Sequence, residues 1–154
     1  MERIRTLVKD PALRVDPRAE ALLYAAARAQ LVAERVAPLL AAGRWVLLDR
    51  FVDSSLAYQG AARGLGVDAI RALNEFGTDG LKPDRTLLLR VDPVLARDRI
   101  VDRTADRLER EDPAFFAAIA AGYEALAAAE PDRIVVIDAA QSPEAVLADA
   151  LAAL

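Results

Sequence analysis

The chain has 154 residues, 55% of them hydrophobic and 29% charged, and a formal net charge of −4. This composition fits one globular domain with a core of its own, and the acidic balance argues against bulk electrostatic binding to nucleic acid. The absence of cysteine and histidine excludes disulfides, thiolate metal sites and the commonest general base, so any chemistry must rest on Asp, Glu, Arg, Lys, Ser or Tyr.

In chain order, residues 2–9 read as a short helix closed by Asp10-Pro11. Asp16 followed by Pro17 is a helix start, with aspartate as N-cap and proline in the first helical position. The pattern PRAEALLYAAARAQLVAERVAPLLAAG then runs to Gly43, and Pro38 predicts a kink or division near Val36. Next come apolar runs at 45–49, 85–91 and 133–138, without alternation, as in strands covered on both faces. Helical patterns occupy 54–62, 67–76, 93–103, 113–129 and 143–153. Strands alternating with helices predict an α/β doubly wound parallel sheet with right-handed crossovers.

No stretch approaches 18 consecutive apolar residues, and the charged start MERIRTLVKD is unlike a signal peptide, so a cytoplasmic protein without membrane partners is expected. Lys9 and Lys82 are the only lysines. Arginine supplies the other cations, and it suits bidentate contact with phosphate or carboxylate.

Ligands of open parallel sheets bind beyond the carboxyl ends of the strands. The predicted strands end at or just before Asp49, Asp92 and Asp138, and only Asp49 is followed by arginine. A strand-end aspartate can hold magnesium, and the neighbouring Arg50 can clamp a phosphoryl oxygen. The pair can equally be a surface ion pair, with Asp53 or Ser54 an ordinary N-cap. Tyr24 and Arg28, four residues apart, share one helix face, and by itself Tyr24 suits a core position. The segment 97–110, dense in both arginines and carboxylates, reads by itself as a solvated helix face with local ion pairs.

The whole dodecamer DRFVDSSLAYQG at 49–60 is far more specific. It resembles the signature of bacterial thymidylate kinases, Asp-Arg-aromatic followed by Ser-Ser-x-Ala-Tyr-Gln-Gly, and the resemblance covers nearly the whole chain. It implies ATP-dependent phosphorylation of dTMP to dTDP with Mg2+, on a P-loop nucleoside-monophosphate kinase fold. It implies that Tyr24 stacks on thymine and Arg28 bonds its carbonyl edge. Ala27 stands where the family usually carries a polar residue, commonly aspartate. Arg50 would contact the monophosphate, Asp49 the metal and phosphate, and Ser55, Tyr58 and Gln59 the deoxyribose and base. Tyr58 would fill the space of a 2′-hydroxyl, and Arg63 would reach phosphate or only close its loop. DRLERE at 106–111 is similar to the family's lid element, within a lid of about 97–112 that offers Arg97, Arg103 and Arg107. Tyr123 would reach the base pocket, and Ala139, Ala140 and Gln141 would line the adenine. A homodimer formed through helices within 17–75 is also implied.

GxxxxGK[ST], the phosphate-binding loop of such kinases, occurs nowhere in the 154 residues. Aligned by its motifs, Met1 falls after the family's first two strands, which leaves three of its five. Loss of a middle strand would open a gap of about 10 Å between the strands that flank it. Three expectations compete: a start assigned too late, a nucleotide-binding remnant without catalysis, or a missing part supplied by another chain. The residues as written are expected to have little or no kinase activity. Another deoxynucleoside or nucleotide kinase of the same fold is the alternative enzyme.

Overall fold

Helix signals at the start of the chain are local, and the computed structural model, which describes residues 2–92 and 107–154, follows them closely. The chain divides into two compact units, Met1–Lys82 with Ala105–Gly122, and Pro83–Thr104 with Tyr123–Leu154. The helix expected over 93–103, with Arg97 and Arg103, lies outside the described residues.

In the first unit, α1 spans Glu2–Lys9 and α2 spans Pro17–Leu31. Asp16 caps α2 from an extended backbone, and its carboxylate accepts from the Arg18 N–H at 2.8 Å. Proline follows at no cost in hydrogen bonds, because the first helical N–H groups have no intrahelical partner. Pro38 acts as its chemistry requires. It has no N–H to donate and its ring crowds the carbonyl four residues earlier. The helix widens into a π-helical turn over Val32–Val36, where the Ala37 N–H reaches back to Val32 O, and resumes as α3, Ala37–Ala41. Gly43, at φ +69°, then turns the chain out of the helix.

The run 45–49 is not a strand, contrary to the reading of its apolar pattern. It alternates in burial: Val46 and Leu48 pack against Val32, Val36 and Phe51, whereas Trp45 and Leu47 are 87% and 92% exposed. A strand exists only by exchanging hydrogen bonds with a neighbouring backbone. No strand among the described residues pairs with this run.

Beyond it, α4 (Val52–Ser55) continues as a second π-helical segment, Leu56–Ala62, and α5 covers Val67–Thr78. Helix α5 packs on α2 and on the π segment. The buried set of this unit includes Val8, Ala25, Val36, Phe51, Leu56, Ile70, Phe115 and Ile119. The last two belong to α6, Pro113–Ala129. Gly122 lets α6 lie close to the π segment, since a Cβ there would stand 3.0 Å from Ala61 Cβ and 3.2 Å from Ala57 Cα.

The second unit holds the sheet. Strands β1 (Thr86–Arg90) and β2 (Ile134–Asp138) pair in parallel, from Thr86 opposite Ile134 to Arg90 opposite Asp138. Ile134 and Ile137 are buried, but Leu89 and Val136 are exposed, so the pair is covered less fully than its continuous apolar runs predict. Helix α7, Pro143–Ala152, packs on β2 and is capped by Ser142, whose Oγ accepts from the Ala145 N–H at 3.3 Å. The architecture is α/β with an incomplete parallel sheet, two paired strands where three were expected.

Candidate functional site

Arg28 is the most heavily engaged of the predicted residues. Carried on α2 one turn after Tyr24, its Nη2 donates to Phe51 O and to Ser55 Oγ, both at 3.0 Å. Its Nη1 donates to Asn74 Oδ1 on α5. Three of the five N–H groups of the guanidinium are thus held by protein oxygens. Asn74 is itself buried, and its Nδ2 donates to Ile70 O at 2.7 Å, which fixes the amide so that its oxygen faces Arg28. The guanidinium also lies 5.6 Å from the centroid of the Phe51 ring. Burial lowers the Arg28 pKa to about 10, an effect only partly offset by Asp53 and Tyr24. Ser55 is buried, with its hydroxyl turned to Arg28.

Arg50 directly follows Asp49 and has φ +67°, the left-handed region that side chains other than glycine seldom adopt. Such strain tends to collect where a side chain has to be aimed. The Arg50 guanidinium stands 5.2 Å from the Tyr58 ring centroid, and Tyr58 meets Phe115 edge to face at 6.2 Å. Arg63 lies 4.5 Å over the opposite partner of that pair, Phe115. Tyr58 and Gln59 both sit on the π segment Leu56–Ala62, whose wider turn changes where successive side chains point. Asp49 and Arg50 are exposed.

Gln59, by contrast, is buried and faces inward. Its Nε2 donates to Glu20 Oε1 at 2.8 Å. Glu20, on the first turn of α2, has no exposed surface, yet it also receives Arg63 Nη2 at 3.2 Å and Arg107 Nη2. Arg107 is pinned further by its Nε, which donates to Val8 O at 2.8 Å, and by its backbone N–H, which reaches Lys9 O at 3.3 Å. Arg63 pairs on its other side with Glu111 at 2.6 Å. Burial works against its charge, but Glu111 and Glu20 outweigh that effect and its pKa is raised.

The first unit thus brings together Tyr24, Arg28 and Ser55, and separately Gln59 and Arg107 through Glu20. Tyr123, half-buried on α6, belongs to the second unit, as do Ala139–Gln141 beyond β2. There the Ala139 N–H donates to Arg90 O at 2.7 Å and the Ala140 N–H to Asp138 Oδ1 at 2.9 Å, while Gln141 Nε2 donates to Asp149 Oδ2 at 2.5 Å. Among the described residues no three His, Cys, Asp or Glu side chains gather as a metal site. A lone carboxylate such as Asp49 suits Mg2+ only where phosphate oxygens and water complete the octahedron. Sequence reasoning missed Glu20 and Asn74. Each is a single polar residue in a helix, and no local signal says that it is buried.

Comparison with known proteins adds an independent observation. The profile of the thymidylate kinase family matches residues 1–150. A protein named thymidylate kinase from Halalkalibacterium halodurans is 51% identical over 154 residues, covering 97% of this chain and 73% of that relative. One of the same name from Latilactobacillus sakei is 48% identical, covering 97% and 72%. Another from Deinococcus radiodurans is 45% identical over 153 residues, covering 99% and 74%.

Proposed function

The chain belongs to the thymidylate kinase family, and from that premise we propose that its first unit carries the dTMP-binding half of an ATP-dependent kinase that forms dTDP. The observation that carries this reading is the convergence of Phe51 O, Ser55 Oγ and Asn74 Oδ1 on Arg28, beside Tyr24 on the same helix. An arginine held on one side by the protein offers a fixed donor edge to a planar base, and Tyr24 supplies a face for stacking.

In this reading Arg50 clamps the monophosphate, and Tyr58 borders the sugar where a 2′-hydroxyl would stand. Asp49 would be the residue to hold Mg2+, which would supply charge neutralisation at the phosphates. By the family likeness, the arginines of 97–112 are assigned to the phosphoryl groups, Tyr123 to the base and Ala139–Gln141 to the adenine. Phosphoryl transfer asks the protein mainly for in-line positioning and charge neutralisation, which fits a site built from arginine and carboxylate without a strong base. ATP is the phosphoryl donor. No GxxxxGK[ST] occurs among these 154 residues to cradle its phosphates. That observation favours a second reading for these residues alone, as a nucleotide-binding module without turnover.

A homodimer through helices within 17–75 and a cytoplasmic site of action complete the proposal. Exposed Leu22 on α2 supports the first, and no described helix is long and apolar enough to cross a membrane. The test is calorimetric titration with dTMP, dUMP and the ribose analogue of dTMP. Saturable binding in the order dTMP, then dUMP, then the ribonucleotide is expected. Equal affinity for the ribonucleotide refutes the role of Tyr58, and no binding of dTMP refutes the acceptor site.

A further inference from the structure

A carboxylate with no exposed surface is costly unless its lone pairs are used, and Glu20 uses them on three different parts of the first unit. Gln59 approaches from the π segment, Arg63 from the end of that segment, and Arg107 from the segment that precedes α6. Two guanidiniums, Arg63 and Arg107, face two carboxylates, Glu20 and Glu111. The cluster therefore balances in charge.

We propose that Glu20 is a positioning residue of the acceptor site, acting through Gln59 rather than by touching the nucleotide. The argument turns on what each group can offer. An ionised carboxylate is an acceptor only, so the Gln59 amide must turn its NH2 toward Glu20 and present its oxygen the other way. Glu20 thereby decides that Gln59 meets a ligand as an acceptor, suited to a sugar hydroxyl or a base N–H. The same carboxylate, with Val8 O, fixes the Arg107 side chain on α2 and α1. A neutral amide at position 20 would set NH2 against NH2 or against a guanidinium, and Gln59 would lose its single orientation.

This inference rests on the dTMP reading and is tested by a double-mutant cycle read by calorimetric dTMP binding, with the thermal midpoint of every variant measured alongside. Glu20→Gln and Gln59→Leu are each expected to weaken dTMP about tenfold, and the double variant to be no weaker than about tenfold, because both remove the same oriented acceptor. Arg28→Lys, which shares no partner with Glu20, is expected to multiply with Glu20→Gln. In NMR spectra the Gln59 side-chain NH2 pair is expected downfield in the wild type and shifted upfield in Glu20→Gln, a change that general loosening of the fold does not single out. Where Glu20→Gln does not fold, Glu20→Asp takes its place, since shortening withdraws the oxygen from Gln59 while keeping the charge, and the same shared loss is expected. Losses that multiply between positions 20 and 59 in a chain that binds dTMP overturn this inference alone. A wild-type chain that does not bind dTMP overturns the acceptor reading and this inference with it.

Discussion

Asn74→Ala isolates the packing that holds Arg28. It removes the oxygen that accepts from Arg28 Nη1 and the NH2 that donates to Ile70 O, both in buried surroundings. A hydrogen bond to a charged group contributes about 1.5–3 kcal/mol. The bond to a helical carbonyl and the lost packing contribute about 1 kcal/mol more. The charge on Arg28 stays, already disfavoured by burial, as its lowered pKa attests. The expected loss is therefore about 2–4 kcal/mol, which lowers a urea midpoint by on the order of 1–2 M at the usual slopes. Glu75→Ala is the control from the same helix. It breaks only the exposed 4.0 Å pair with Lys82 and should cost less than about 1 kcal/mol. Urea unfolding followed by circular dichroism reads both, and calorimetry reads the accompanying loss of dTMP affinity. An Asn74→Ala unfolding free energy within about 0.5 kcal/mol of wild type would refute the claim that this amide anchors Arg28.

Burial holds the Arg28 pKa at about 10, well below the ordinary guanidinium value, so above pH 10 the unfolded chain binds more protons than the folded one and the burial penalty is relieved as pH rises. Relative to Arg28→Met, the wild type should gain about 1 kcal/mol between pH 10 and pH 11, by denaturant unfolding at each pH, and a flat difference refutes the shift. Gly122→Val drives a side chain onto Ala57 and Ala61 and should destabilise by about 1–3 kcal/mol in thermal unfolding, with no loss refuting the close approach. Arg50→Ala should weaken dTMP at least tenfold and leave thymidine within about twofold, since a phosphate contact is absent from the nucleoside. Equal losses for both ligands would remove Arg50 from the phosphate. A coupled ADP-release assay on the 154-residue chain should find no turnover above background, and ordinary kinase turnover would refute the role assigned to the missing GxxxxGK[ST] motif.

Much of this protein was legible locally. The cap at Asp16, the division of the helix ahead of Pro38 and the turn at Gly43 follow from backbone chemistry that involves only nearby residues. The i, i+4 placement of Tyr24 and Arg28 is likewise a property of any helix. The dodecamer at 49–60 pointed to the family that the comparisons show. The apolar run 45–49 misled because hydrophobicity marks a segment that packs, whereas a strand also needs a partner's backbone, which no single segment contains.

Glu20 and Asn74 were decided by tertiary structure alone. Glu20 meets donors 39, 43 and 87 residues away in sequence, and Asn74 meets an arginine 46 residues away. In sequence each is one polar residue in an amphipathic helix. Only the packing of α2 against α1, α5 and the π segment Leu56–Ala62 takes them out of water, and once buried they must find partners or carry the full cost of lost solvation. Sequence determined which side chains could meet a nucleotide, and the fold decided which buried groups hold them still.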